Sequence, residues 1–223
     1  MDRHEREQAI LEQLSAGNLP AFLRNLAAIR LNSAMIFVMP EYLAVGSDTD
    51  YLRIPMNLHI ATAIARRFRF LLPTKKIVDA IYDQALYRFT PQPLPAGPQM
   101  TSTPYYTTQN AMIDTQAENR DFPIGVLAAG NKNDVVLTNR LLRMPGRIAI
   151  YGWHRGPGDP IQPLSSVHGA GYAGYSHGIR LVAAIALVEG TPSSLYEILQ
   201  DSKLARNLSD EGTIHAASIF ASA

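Results

Sequence analysis

The chain has no cysteine among its 223 residues. Disulfides, thiolate nucleophiles, Cys-ligated zinc and iron–sulfur clusters are excluded together, so any catalysis falls to oxygen and nitrogen groups. Excess charge is also lacking: 20 Lys and Arg stand against 19 Asp and Glu, and the longest basic runs are "TKK" and "ARR". No global field therefore draws the chain to nucleic acid or anionic lipid, and no nucleic-acid partner is expected. No apolar run approaches the roughly 18–20 residues of a membrane span, so none is expected. The opening "MDRHEREQAILEQL" lacks the apolar stretch of a signal peptide. It reads as cytoplasmic, or as secreted or periplasmic if a signal has been removed; lack of cysteine suits either compartment.

What is present is a substantial apolar fraction, 47%, enough for one domain over 1–223 with a sizeable core. A helix/hairpin/helix part is expected over 1–90, a Pro-rich crossing loop over 91–120, and a sheet carrying the candidate site over 121–223. Ile10, Leu11 and Leu14, then Phe22, Leu23 and Leu26, have helical spacing, interrupted near Gly17 and Pro20. Ile36, Val38, Tyr42 and Val45 alternate like strands about a turn at Pro40, and "GSDTD" marks a second turn. Helices capped by Asn57 and Thr74 follow, the first ended by Pro73. The stretch "TPQPLPAGPQMTSTPYYTTQN" holds five of the fifteen prolines and reads as an extended surface crossing. "IGVLAAG", "DVVLTN" and "RIAIYGWH" read as the strands of the central sheet. "GIRLVAAIALVEG" is ambiguous between strand and helix, and "TPSSLYEILQDSKLARNLSDEG" is expected to form two terminal helices, the first capped by Thr191 with Pro192 at its start. These elements predict an α+β fold, with a central mixed or antiparallel β-sheet and helices at the N-terminus, middle and C-terminus.

Chemistry-bearing residues concentrate in one segment. Of six histidines, His154, His168 and His177 fall within 24 residues, beside glycines or strand ends. Tyr151, Trp153, Tyr172 and Tyr175 accompany them, an aromatic set suited to a sugar ring or planar ligand. Three reaction types use nearly the same groups. In the first, Ser176 is a nucleophile, His168 or His154 its base, and Asp134 orients the histidine; no G-x-S-x-G elbow accompanies it. In the second, His154, His168 and His177 bind a metal with Asp134 or Asp159, although no H-E-x-x-H or H-x-H spacing is present. In the third, His and Tyr exchange protons while Lys132 and Arg180 hold an anionic group.

The run Ser176-His177-Gly178-Ile179-Arg180 resembles the Ser/Thr–His–Gly–Cys–hydrophobic–Arg segment of peptidoglycan L,D-transpeptidases, with the cysteine missing. Lacking that nucleophile, the resemblance implies neither the family's activity nor its fold, and only directs the substrate expectation toward cell-wall or glycan-like material. The expectation is a small hydrolase or acid–base enzyme, needing no cofactor or metal, with a glycan-, peptide- or cell-wall-like substrate. Its catalytic candidates are His154, His168, Ser176, His177 and Asp134. Its binding candidates are Tyr151, Trp153, Tyr172, Tyr175, Arg180 and Lys132. The alternative is a glycan- or peptide-binding module using the same groups without turnover; oligomeric state is open. Elsewhere, "GSDTDY" reads as a hydrated turn rather than a calcium loop, since further ligands and a closing glutamate are missing. His59 and His215 read as structural, and His4 as part of a terminus.

Overall fold

The computed structural model describes residues 2–119 and 123–222. α1 (Arg3–Ser15) begins with a capping box in which Asp2 accepts from the Glu5 amide and the Glu5 carboxylate accepts from the Asp2 amide. The helix expected through Phe22 and Leu26 does not form. A short 3-10 turn, Ala21–Arg24, leads instead into β1 (Ala27–Leu31), where Ile29 and Leu31 are buried at the two-residue period of a strand. β2 (Ala34–Val38) pairs antiparallel with β1, and β3 (Ala44–Gly46) with β4 (Tyr51–Arg53) across the expected "GSDTD" turn.

α2 (Leu58–Phe68) and α3 (Lys75–Gln84) start as expected, with Asn57 Oδ1 and Thr74 Oγ1 accepting from the amides of Ile60 and Ile77. Pro73 is not what ends α2: Arg69, in the left-handed region, stops it and turns the chain into β5 (Phe70–Leu71). After β6 (Tyr87–Arg88) comes the largest correction. Only the first part of the proline-rich stretch is extended, followed by a 3-10 turn, Pro98–Thr101, and then α4 (Thr103–Glu118). Ser102 caps α4 and Pro104 lies in its first turn, where a missing N–H costs nothing and the fixed φ favours the helix. The expected boundary at 120/121 lies outside the described residues.

β7 (Ala128–Ala129), β8 (Asn133–Val135), α5 (Arg140–Arg143), β9 (Ile150–Gly156), β10 (Asp159–Ser165) and β11 (His177–Gly178) follow. "GIRLVAAIALVEG" resolves into two strands, β12 (Val182–Ala183) and β13 (Ile185–Val188). The first terminal helix starts later than expected. Thr191 does not cap it, because Thr191–Ser194 is β14, hydrogen-bonded to β13 across a two-residue turn whose Glu189 and Gly190 both have positive φ. Pro192 is tolerated there because β14 is an edge strand. α6 (Leu195–Gln200) is the one α-helix of the stretch 191–212; the second expected there is only a 3-10 turn, Ala205–Asn207, and α7 (Ala216–Ser222), beyond it, completes seven helices among the described residues.

The fold is α+β. A curled antiparallel sheet has the order β14-β13-β2-β12-β5, with β1 also on β2. A second, mixed sheet has the order β10-β9-β8-β11, with β11 parallel to β8. β7 is not part of either; it pairs with β6. One apolar cluster runs from Ile10 and Leu14 of α1 through both sheets to Phe220 of α7. Among the described residues no helix is long and apolar enough to cross a membrane.

Candidate functional site

The second sheet assembles the site. On β8, Asn133 pairs with Gly152 of β9 on one side and His177 of β11 on the other, bringing three distant sequence segments side by side. Lys132, Asp134, His154, His177 and Arg180 converge there, and each is at most 3% exposed. Ionisable groups at such depth need partners or shifted pKa values.

Asp134 has both. Its Oδ2 lies 2.8 Å from the Tyr42 hydroxyl, and its Oδ1 lies 3.9 Å from Arg180 Nε, with no hydrogen-bond partner of its own. Burial raises the Asp134 carboxyl to about 6, outweighing the opposing pull of Arg180. Arg180 stacks on the Tyr42 ring at 4.4 Å and donates to the carbonyl oxygens of Met39 and Ala128. Lys132 donates to Gln109 Oε1 and to the Tyr175 carbonyl; burial, then repulsion from Arg53, lowers it to about 7. Arg53 in turn is held by Glu41, Asp114 and Asn110. α4 thus supplies Gln109, Asn110 and Asp114 to this network.

His154 faces a second set of partners. Its Nε2 is 2.9 Å from Asp79 Oδ1, which also accepts from the Tyr151 hydroxyl at 2.7 Å, while Asp79 Oδ2 accepts from Lys75 at 2.8 Å. Asp79 is about a quarter exposed, its side chain reaching the surface from α3. Its pKa is lowered: burial opposes this, and the bonds from His154, Lys75 and Tyr151 prevail. Tyr82 stacks on the His154 ring at 4.7 Å. A cavity of about 10 Å³ is lined by His154, Asp134, Lys132, Tyr42 and Trp153 among others. That is about the minimum space for one water. Among the described residues neither Trp153 Nε1 nor Asp134 Oδ1, both buried, has a hydrogen-bond partner, one a donor and one an acceptor.

The remaining candidates are placed differently. Ser176 Oγ accepts from the Asn133 amide at 3.0 Å, a group that cannot take its proton. His168 and Tyr172 form a half-buried stack, with ring centroids 4.0 Å apart and planes within 10°. Tyr172 then meets His177 edge-on at 5.5 Å. Burial lowers His177 to about 3 and lowers His168 as well. Tyr151, Trp153 and Tyr175 are at most 6% exposed, so of the four aromatics Tyr172 alone presents its ring toward solvent. Among the described residues no group of three or more His, Asp and Glu is placed to hold a metal ion. Asp159 is exposed and paired with Arg155.

Tyr42, Glu41, Arg53, Asp79 and Gln109 escaped the sequence reading. Each comes from an element distant in sequence and carries no local motif; the one visible hint was Lys75 and Asp79 at i, i+4 on α3.

Gly178 tests how tightly the cluster is built. A Cβ there would lie 2.5 Å from the Tyr42 ring carbons Cδ1 and Cε1, and Tyr42 is 2% exposed. Gly178→Ala is expected to cost about 1–3 kcal/mol by overpacking and to displace Tyr42 from Asp134. Urea unfolding measures the cost, and an unchanged midpoint would show that Tyr42 yields freely.

Comparison with models of protein families, with curated proteins and with solved structures found no match for this chain.

Proposed function

We propose that the chain is a cofactor-free acid–base enzyme of the hydrolase kind, in which His154, oriented by the Asp79 carboxylate, exchanges protons with the small cavity that it lines together with Asp134 and Lys132. The observation that carries the reading is that His154, Asp134 and Lys132 line one small cavity, while Asp79 holds His154 Nε2. A carboxylate on one ring nitrogen fixes the imidazole's orientation and leaves Nδ1 to exchange the proton. Groups with pKa values of about 6 and about 7 give and take protons near neutrality with little driving-force penalty. Tyr42 and Arg180 act on Asp134 as positioning groups. A glycan-, peptide- or cell-wall-like substrate remains the proposed class, supported by the Ser176–Arg180 resemblance and by the Tyr172 ring beside the site.

The test is turnover of chromogenic esters, amides and glycosides and of peptidoglycan fragments. His154→Gln and Asp134→Asn are each expected to lower kcat/KM by about 10²–10⁴. Ser176→Ala is expected to retain most of it, because Asn133 is no base. Full activity in folded His154→Gln would sink this reading, and loss on Ser176→Ala alone would return the nucleophile to that serine.

One observation favours a non-catalytic reading: the surface pair His168–Tyr172 is a ready planar platform, while the titrating groups are enclosed. A binding module predicts saturable glycan or peptide binding, abolished by Tyr172→Ala, indifferent to His154→Gln and without product.

A further inference from the structure

A separate cavity of about 250 Å³ lies between α1, the Ala21–Arg24 turn, α2 and the strand ends at Met39 and Leu181. It shares no lining residue with the His154 cavity. Its inner wall is aliphatic, formed by Leu14, Leu23, Leu43, Ile64 and Leu181, each at most 2% exposed. At its edge Phe68 leaves 41% of its surface in solvent.

The charged side chain in this lining is Arg24, which is exposed. Its guanidinium donates one bond, 3.2 Å long, to the Gly17 carbonyl oxygen. Among the described residues no carboxylate lies within ion-pair distance of it, so further N–H donors remain for an incoming anion. An aliphatic chamber with an unpaired guanidinium at its rim has the polarity of an amphiphile with an anionic head. At roughly 30 Å³ for each water-sized group the space takes on the order of eight such groups.

We propose that this cavity binds a medium-chain aliphatic carboxylate, its tail against Leu23, Leu43, Ile64 and Leu181 and its carboxylate on Arg24. The site is independent of the acid–base centre. Its far wall is nevertheless shared structure, since Met39 offers its carbonyl to Arg180 and its amide to the Leu181 carbonyl. An occupant therefore sits against Met39, whose carbonyl also holds Arg180 of the Asp134 network.

Calorimetric titration of the intact chain with octanoate, 1-octanol and octyltrimethylammonium tests the assignment. Octanoate is expected to bind saturably at one site, with the cationic analogue at least about tenfold weaker. Arg24→Gln is expected to reduce octanoate to the level of octanol and leave octanol unchanged. Leu26→Trp, at the half-buried rim, is expected to weaken both by obstructing the chamber. Circular dichroism and melting confirm that both rim variants fold. The proposal falls if octanoate does not bind saturably, or if Arg24→Gln binds it as the parent does. It falls also if sedimentation shows a dimer that Leu26→Trp dissociates and octanoate does not, since a second copy would then be the occupant.

Discussion

Arg53→Met is expected to destabilise the protein by about 3–5 kcal/mol, because it strands a buried carboxylate rather than removing a contact. The Arg53 side chain has no exposed surface, and that of Glu41 has 2%. Arg53 Nε donates to Glu41 Oε2 at 3.1 Å, Nη1 to Asp114 at 2.7 Å and to Asn110 at 3.1 Å, and Nη2 to the Tyr51 hydroxyl at 3.0 Å. Burial opposes its charge, yet Glu41, Tyr51 and Asp114 together hold its pKa above the ordinary value. Without it, Glu41 keeps the Asn131 amide and its own neighbour's N–H, but its closest cation becomes Arg180, at 3.9 Å. Methionine fills most of the arginine stem, so lost volume is a small part of the cost. Urea unfolding of Arg53→Met, Glu41→Gln and the double variant separates the contributions. The double variant should recover at least about 1.5 kcal/mol over the sum of the singles. Additive losses would mean that the two charges do not depend on each other, and a single-variant loss below about 1 kcal/mol would rule out a structural ion pair here.

How much of this was legible in the sequence depended on whether the governing interaction was local. Asn57 and Thr74 could be read as caps because the bond each makes is to the amide three residues on. α4 was hidden because the four prolines before it and Pro104 within it suggested extended chain, and the position of Pro104 in the first turn is what a helix tolerates. Thr191-Pro192 carried a genuine helix-start signal, overridden by the hairpin that Glu189 and Gly190 close. At the site, clustering of Lys132, Asp134, His154, His177 and Arg180 was foreseeable, since each sits on or beside a short apolar strand and those strands pair. Their roles were not. Whether Ser176 meets a histidine or an amide, and whether His154 meets Asp134 or Asp79, is set by register and by α3 and α4, about which spacing within 151–180 holds no information.

Between pH 7 and pH 9.5 Lys132 is expected to contribute a gain of about 3 kcal/mol in stability, and Lys132→Met to abolish that contribution. The Lys132 ammonium is 1% exposed, and its pKa falls from 10.5 to about 7 on folding. Between those values the unfolded chain binds more protons than the folded one, so stability rises with pH, by at most about 1.4 kcal/mol per unit. The difference between the parent and Lys132→Met isolates this group. Asp134, raised to about 6, loses stability as pH rises from about 4 to 6, whereas His177, lowered to about 3, gains it up to about 6.5. Those two oppose each other and are finished by pH 7. Tyr42 and Tyr106, both raised, keep their protons when folded while the unfolded tyrosines begin to ionise near 10, so the raised tyrosines oppose Lys132 at the top of the window by about 0.2 kcal/mol each, equally in parent and variant. Urea midpoints at pH 7 and 9.5 read the slope, which stays interpretable even if Lys132→Met lowers stability at both. The same titration has a functional face: a neutral amine beside the Asp134 cavity accepts a proton, and the ammonium does not. If the acid–base reading holds, kcat/KM rises through an apparent pKa of about 7 in the parent, and that limb disappears in the variant. A parent slope no steeper than the variant's would mean that Lys132 keeps its proton when folded, and the proton route would then have to run through His154 and Asp134 without it.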